Sequence, residues 1–212
     1  MLRIKMCGMT RREDVLAAAR LGVDAVGLVF YPASPRHVTA AQAYHLVRDL
    51  PPFVARVGLF VDAPLAEIMA TVASVGLSAV QLYGGPGTKE LAEAKLGVPV
   101  IRGLHASDQL HQELSRYSNE AVLVDAPRQA LPGGTGRTWD WSTLKEAPRP
   151  RYLMLAGGLQ GMNVAEAVRL VKPDAVDVSS GVEFSPGVKD PQRMKAFVAA
   201  CAPFRNSSRE RL

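Results

Sequence analysis

The stretch RIKMCGMTRREDVLAAARLGVDAVGLVF (residues 3–30) decides the fold. RIKM reads as a short strand, REDVLAAARLG carries apolar residues at helical spacing, and DAVGLVF is a second, β-branched run. Thr10 with Glu13 has the S/T-x-x-E/Q form of a capping box, which predicts that the helix opens there. Strand, helix and strand in so short a span make one βαβ unit, whose two strands lie parallel.

The unit recurs along the chain. Further apolar runs are VARVGLFV (54–61), SAVQLY (78–83), PVIRG (99–103), AVLVD (121–125), RYLMLAG (151–157) and DAVDVSSG (174–181). Successive runs start about 20 to 30 residues apart, room for a strand, a helix and two short loops. Thr39 with Gln42 forms a second capping box ahead of AQAYHLVRDL, and Asn163 is predicted to cap VAEAVRLV. Between strands six and seven the helical pattern is poor, and the glycine-rich LPGGTGRT (131–138) takes up the length. Eight strands alternating with seven or eight helices predict an α/β fold, a single-domain (β/α)₈ TIM barrel over residues 1–202. Residues 203–212 read as a basic, polar tail. A doubly wound open sheet gives the same alternation, but eight units without a dinucleotide fingerprint favour the barrel.

At 212 residues the chain suits one domain. No window reaches the roughly 18 apolar residues of a membrane span, and no signal-peptide core is visible. With only Cys7 and Cys201, a cytoplasmic protein is expected rather than a disulfide framework. The net charge is +5, of which Arg205, Arg209, Arg211 and Glu210 in the tail supply a net two positive charges. No long basic run and only 6% aromatic residues argue against nucleic-acid binding. The remaining balance suits small anionic ligands or simple solubility. The histidines show no metal-ligand pattern, and no P-loop or zinc spacing appears, so neither a metal nor a cofactor is expected.

In a barrel of this kind the active site forms at the C-terminal ends of the strands. Strand one ends at Cys7. Alternation puts Arg3, Lys5 and Cys7 on one face and Leu2, Ile4 and Met6 on the other, so Cys7 points into the mouth with Lys5 one layer below. A nearby cation favours thiolate, which would make Cys7 a base or nucleophile. Asp125 ends strand six in the same way, either capping a loop or facing the thiol as the acid of an acid–base pair. Asp177 on strand eight is predicted to pair with Lys5, because a buried charge needs a partner. LAGGL (155–159) and VSSGVE (178–183) put small residues at the ends of strands seven and eight, where this fold commonly binds phosphate. Gly157, Gly158 and Gly181 would admit oxygens to backbone N–H groups, and Ser179 and Ser180 would add hydroxyls. Arg36, in SPRHV after strand two, is either a solvated loop arginine or a fork for a carboxylate.

KMCGMT (5–10), SPRHV (34–38), VGLFVD (57–62), QLYG (81–84), LVDA (123–126) with GGTGRTWDW (133–141), LAGGL and DVSSGVEFSPGVKD (177–190) resemble the phosphoribosylanthranilate isomerases of tryptophan biosynthesis. The resemblance implies an Amadori rearrangement of N-(5-phosphoribosyl)anthranilate to 1-(2-carboxyphenylamino)-1-deoxyribulose 5-phosphate, without a cofactor. It implies Asp125 as general acid on the ring oxygen, Cys7 as general base at C2, and Arg36 on the anthranilate carboxylate. The phosphate falls to Gly157–Gly158 and Ser179–Gly181. The implied partner is a small anionic sugar phosphate, with the chain a monomer or homodimer and no membrane involved. Tyr83 stands where the family usually has histidine, a change expected to leave the acid–base pair untouched. Other sugar-phosphate isomerases and a silent phosphate-binding barrel are the rival readings; the Cys/Asp pair argues against both.

Overall fold

The computed structural model describes residues 1–87, 90–91, 96–127 and 139–205. Eight parallel strands form one sheet: β1 Arg3–Met6, β2 Ala25–Val29, β3 Ala55–Val61, β4 Ala79–Tyr83, β5 Val100–His105, β6 Ala121–Asp125, β7 Tyr152–Leu155 and β8 Ala175–Val178. Each pairs with its neighbours in chain order, and β8 returns to β1 with Lys5 opposite Asp177, so the sheet closes. Closure excludes the open-sheet alternative and leaves the barrel without an edge strand.

Six α-helices lie among the described residues: α1 Arg12–Arg20, α2 Ala40–Val47, α3 Leu65–Val75, α4 Leu110–Arg116, α5 Val164–Val171 and α6 Pro191–Arg205. The Thr39 box is present in full, its hydroxyl accepting from Gln42 N–H and the Gln42 side chain accepting from Thr39 N–H. The Thr10 box is not. The first helix opens one residue later, after Arg11, and Thr10 instead donates to the Gly187 carbonyl at 2.5 Å. Asn163 does precede α5, yet its carboxamide binds backward, accepting from Gln160 N–H and donating to the Gly158 carbonyl. A 3₁₀ turn at Trp141–Leu144 stands where the helical pattern was poor; LPGGTGRT lies outside the described residues. The last helix runs through Pro203 to Arg205, three residues into the segment read as a tail, and residues 206–212 lie outside the described residues.

Alternation sorts the strand side chains into two shells. Ile4, Met6, Val26, Leu28, Phe60, Leu82, Val122, Val124, Leu155 and Val176 pack outward against the helices in one continuous apolar cluster. The inward set is more polar: Lys5, Gln81 and Asp177 are all buried there, beside Leu123. After β8 the chain makes a 3₁₀ turn at Ser180–Val182 and a small antiparallel hairpin, β9 Glu183–Ser185 with β10 Val188–Lys189. Gly187 turns that hairpin at φ +83°, and the hairpin bonds back to Thr10 beyond β1.

Candidate active site

Cys7 follows the last residue of β1, its backbone N–H bonded to Val178 O of β8 at 2.8 Å. Its thiol lies against β2, where a side chain on Gly27 would come 2.6 Å from the sulfur. Gly27 therefore makes the space that lets Cys7 face inward. Beneath it Lys5 Nζ donates to Asp177 Oδ1 at 2.9 Å, the pairing expected from the sequence. Burial opposes the charge on Lys5, but Asp177 and Cys7 together hold its pKa above the usual lysine value. The thiol itself is pushed up: burial outweighs the pull of Lys5, and Asp177 adds to the rise. Lys5 does favour the thiolate, as expected of a nearby cation, but burial of the thiol outweighs it and the Asp177 pairing weakens it.

Asp125 sits across the mouth at the end of β6. Its Oδ1 accepts from Ala126 N–H at 2.7 Å, and its Oδ2 accepts from the Tyr83 hydroxyl at 3.3 Å. Burial raises its pKa against the Ala126 bond, and the nearby Asp177 raises it further. Such a carboxyl holds its proton more readily than an ordinary one, as a general acid must. Tyr83 therefore does touch Asp125, one of the two groups expected to form the acid–base pair, contrary to expectation. It reaches β6 from β4 because the intervening inward residue of β5 is Gly103, where any side chain would come 2.7 Å from the tyrosine ring.

Arg36 hangs over the same mouth, but its fork is engaged. Nε and Nη2 donate to Glu183 Oε1 and Oε2 at 2.8 and 2.5 Å, with both residues buried. Lys189 Nζ shares that carboxylate at 2.8 Å and also donates to the Cys7 and Ser179 carbonyls. Burial works against the charge on Glu183, but Arg36 and Lys189 hold its pKa below the ordinary value. Two cations around one anion leave this strap net positive. Sequence reading missed Glu183 and Lys189. Their signal was two opposite charges flanking a Pro-Gly turn, but their partners lie up to 182 residues away.

The two glycine loops adjoin. A side chain on Gly181 would collide with Leu159 O at 1.9 Å, and one on Gly157 with Ala126 N at 2.5 Å. Gly157 and Gly158 hold φ of +85° and +68°, a region that favours glycine. Ser179 Oγ is buried without a hydrogen-bond partner among the described residues, close beside Gly8 and Arg36. An orphaned hydroxyl at a mouth calls for an explanation, and a ligand oxygen supplies one. Ser180 and Gly181 begin the 3₁₀ turn and are partly exposed. Among the described residues no cluster of three His, Cys, Asp or Glu side chains is arranged to hold a metal ion. The candidate residues from five strand ends thus share one mouth, carrying an acid, a thiol, a cationic strap and a glycine-lined cleft.

Comparison with known proteins gives this arrangement a family. The family described as N-(5'-phosphoribosyl)anthranilate (PRA) isomerase matches residues 4–200. The protein named N-(5'-phosphoribosyl)anthranilate isomerase in Nitrosococcus oceani is 45% identical over 199 residues, covering 92% of this chain and 95% of its own. The crystal structure of phosphoribosyl anthranilate isomerase from Thermotoga maritima superposes with a TM-score of 0.88 at 40% identity, over 96% of this chain and all of that one. A structure of such an isomerase bound to reduced 1-(o-carboxyphenylamino)-1-deoxyribulose 5-phosphate superposes at 0.84 with 37% identity, covering 96% of this chain and 100% of its own. The chain belongs to the N-(5'-phosphoribosyl)anthranilate isomerase family.

Proposed function

We propose that Asp125 and Cys7 divide the acid and base work of a sugar-phosphate isomerisation at this mouth. The reaction is that of the family, N-(5-phosphoribosyl)anthranilate to 1-(2-carboxyphenylamino)-1-deoxyribulose 5-phosphate, a step of tryptophan biosynthesis. Asp125 gives its proton to the furanose ring oxygen, the C1–O bond breaks, and a Schiff base forms. Cys7 then takes the proton from C2, and the resulting enolamine tautomerises to the ketone. The ligand bound in the related structure carries both a phosphate and a carboxyphenyl group. Gly157, Gly158 and Ser179–Gly181 take the phosphate here, with Ser179 Oγ as the spare hydroxyl. Arg36 takes the carboxylate through Nη1, the nitrogen that Glu183 leaves unengaged. Anchoring both anions orients the sugar between acid and base, where positioning lowers the barrier.

The observation that carries this reading is geometric: the Cys7 thiol after β1 and the Asp125 carboxyl at the end of β6 enter the same mouth. A carboxyl and a thiol ordinarily titrate near 3.8 and 9.0, and burial lifts both. A raised carboxyl keeps a proton to give, and the thiol opposite it must lose its own before it can take one from C2.

A cytoplasmic location is consistent with two free cysteines. No described helix is long and apolar enough to cross a membrane. For assembly a homodimer is preferred over a monomer, since a Thermotoga maritima relative is described as dimeric. The test of function follows the fluorescence of substrate generated in situ. Wild type should consume it, and Cys7→Ser and Asp125→Asn should each slow consumption about 10²- to 10⁴-fold. Folded wild-type protein that leaves the substrate intact would overturn the reading.

A further inference from the structure

Tyr83 and its neighbours form a closed set of contacts around the carboxyl. Tyr83 Oη donates to Asp125 Oδ2 at 3.3 Å, and Ala126 N–H donates to Asp125 Oδ1 at 2.7 Å. The Ala126 carbonyl in turn lies 3.0 Å from His105 Nδ1, and the His105 ring stacks on Tyr83 with centroids 5.0 Å apart. Gly103 leaves the slot in which the tyrosine ring lies. Every residue of the set is fixed by another, and Asp125 is the only one with chemistry to perform.

From this geometry we infer that Tyr83 is a positioning residue for Asp125, fixing its carboxyl in the orientation from which Oδ2 gives up its proton. The inference rests on the functional reading above. With Oδ1 occupied by a backbone N–H, the acidic proton belongs on Oδ2, beside the tyrosine hydroxyl. A separation of 3.3 Å is long for an O–H···O bond. It suits a donor that tightens when negative charge appears on the carboxylate, at the moment the ring oxygen is protonated. The titratable and charged groups facing this pair are His105 from β5, Asp177 from β8, and Cys7 after β1. None of these donates a side-chain hydrogen bond to Asp125 among the described residues; Tyr83 does.

Tyr83→Phe keeps the ring on Gly103 and His105 and removes only the hydroxyl. Its kcat should fall roughly tenfold to a hundredfold, the loss of one hydrogen bond to a charged group, with KM little changed. Without the donor the carboxylate is less favoured, so Asp125 should titrate at higher pH and the limb of the rate profile that reports it should move up with it. The same shift is read without substrate from the ¹³C carboxyl signal of Asp125, assigned by its disappearance in Asp125→Asn. A ring that merely fills space predicts no change in either titration. An Asp125 signal with an unchanged midpoint in Tyr83→Phe overturns the inference, whatever happens to the rate. Wild-type protein without isomerase activity overturns the functional reading instead, and the substrate-free titration tells the two failures apart.

Discussion

The two sides of the barrel mouth are built on opposite principles. The side formed by β1, β8 and the hairpin is dense with buried charge: Lys5 with Asp177, and Glu183 between Arg36 and Lys189. The side formed by β4, β5 and β6 holds one carboxyl among a tyrosine, a histidine and a glycine. A base must be rid of a proton, and cations help. An acid must keep one, and a sparsely charged wall helps. On the proposed assignment of base and acid, the difference separates two proton-transfer environments, although the charges around Cys7 are so well paired that burial still lifts the thiol.

If the charged side is held by paired ions, breaking one pair should have the largest effect on stability. Asp177→Asn leaves Lys5 buried and unpaired, and should lose about 3–5 kcal/mol in chemical denaturation. The double change Lys5→Met, Asp177→Leu should recover most of that loss. Tyr83→Phe, on the opposite wall, should cost under about 1 kcal/mol. A comparable loss on both sides would erase the contrast.

The strap gives a prediction with a sign in pH. Glu183 has a lowered value in the fold, so its contribution is fully present above its ordinary value of 4.5 and is lost as pH falls through the lowered value. Glu183→Gln should flatten the stability curve in that acid window and weaken substrate binding by loosening Arg36. The thiol is the reverse case. Thiolate absorbance, taken as wild type minus Cys7→Ser, should rise only above the ordinary value of 9.0. A thiolate already present at neutral pH would mean that Lys5 wins over burial. As a control away from the mouth, Thr39→Ala should cost about 1 kcal/mol, and Thr10→Ala should act through the hairpin rather than the first helix.

The barrel was legible because each strand is short, apolar and bounded by turn residues, and alternation then told which side chains enter the mouth. Cys7, Asp125 and the glycines of β7 and β8 could be found that way. Arg36 could be placed at the mouth, but not its partner, since Glu183 lies 147 residues further along. Thr10 was misread because a capping box is a local rule, and a distant carbonyl on Gly187 competes for the same hydroxyl. Tyr83 was visible as an inward residue. Its reach to Asp125 depends on what a neighbouring strand lacks, a side chain at Gly103.

The division of labour is tested most directly with substrate deuterated at C2 of the sugar, by measuring the isotope effect on kcat/KM in the two variants. Cys7→Ser should show a full primary effect, because removal of that proton has become the slow step. Asp125→Asn should show almost none, because ring opening now limits the rate. The opposite pattern, with the larger effect in Asp125→Asn, would contradict the assignment of acid and base to these two strand ends.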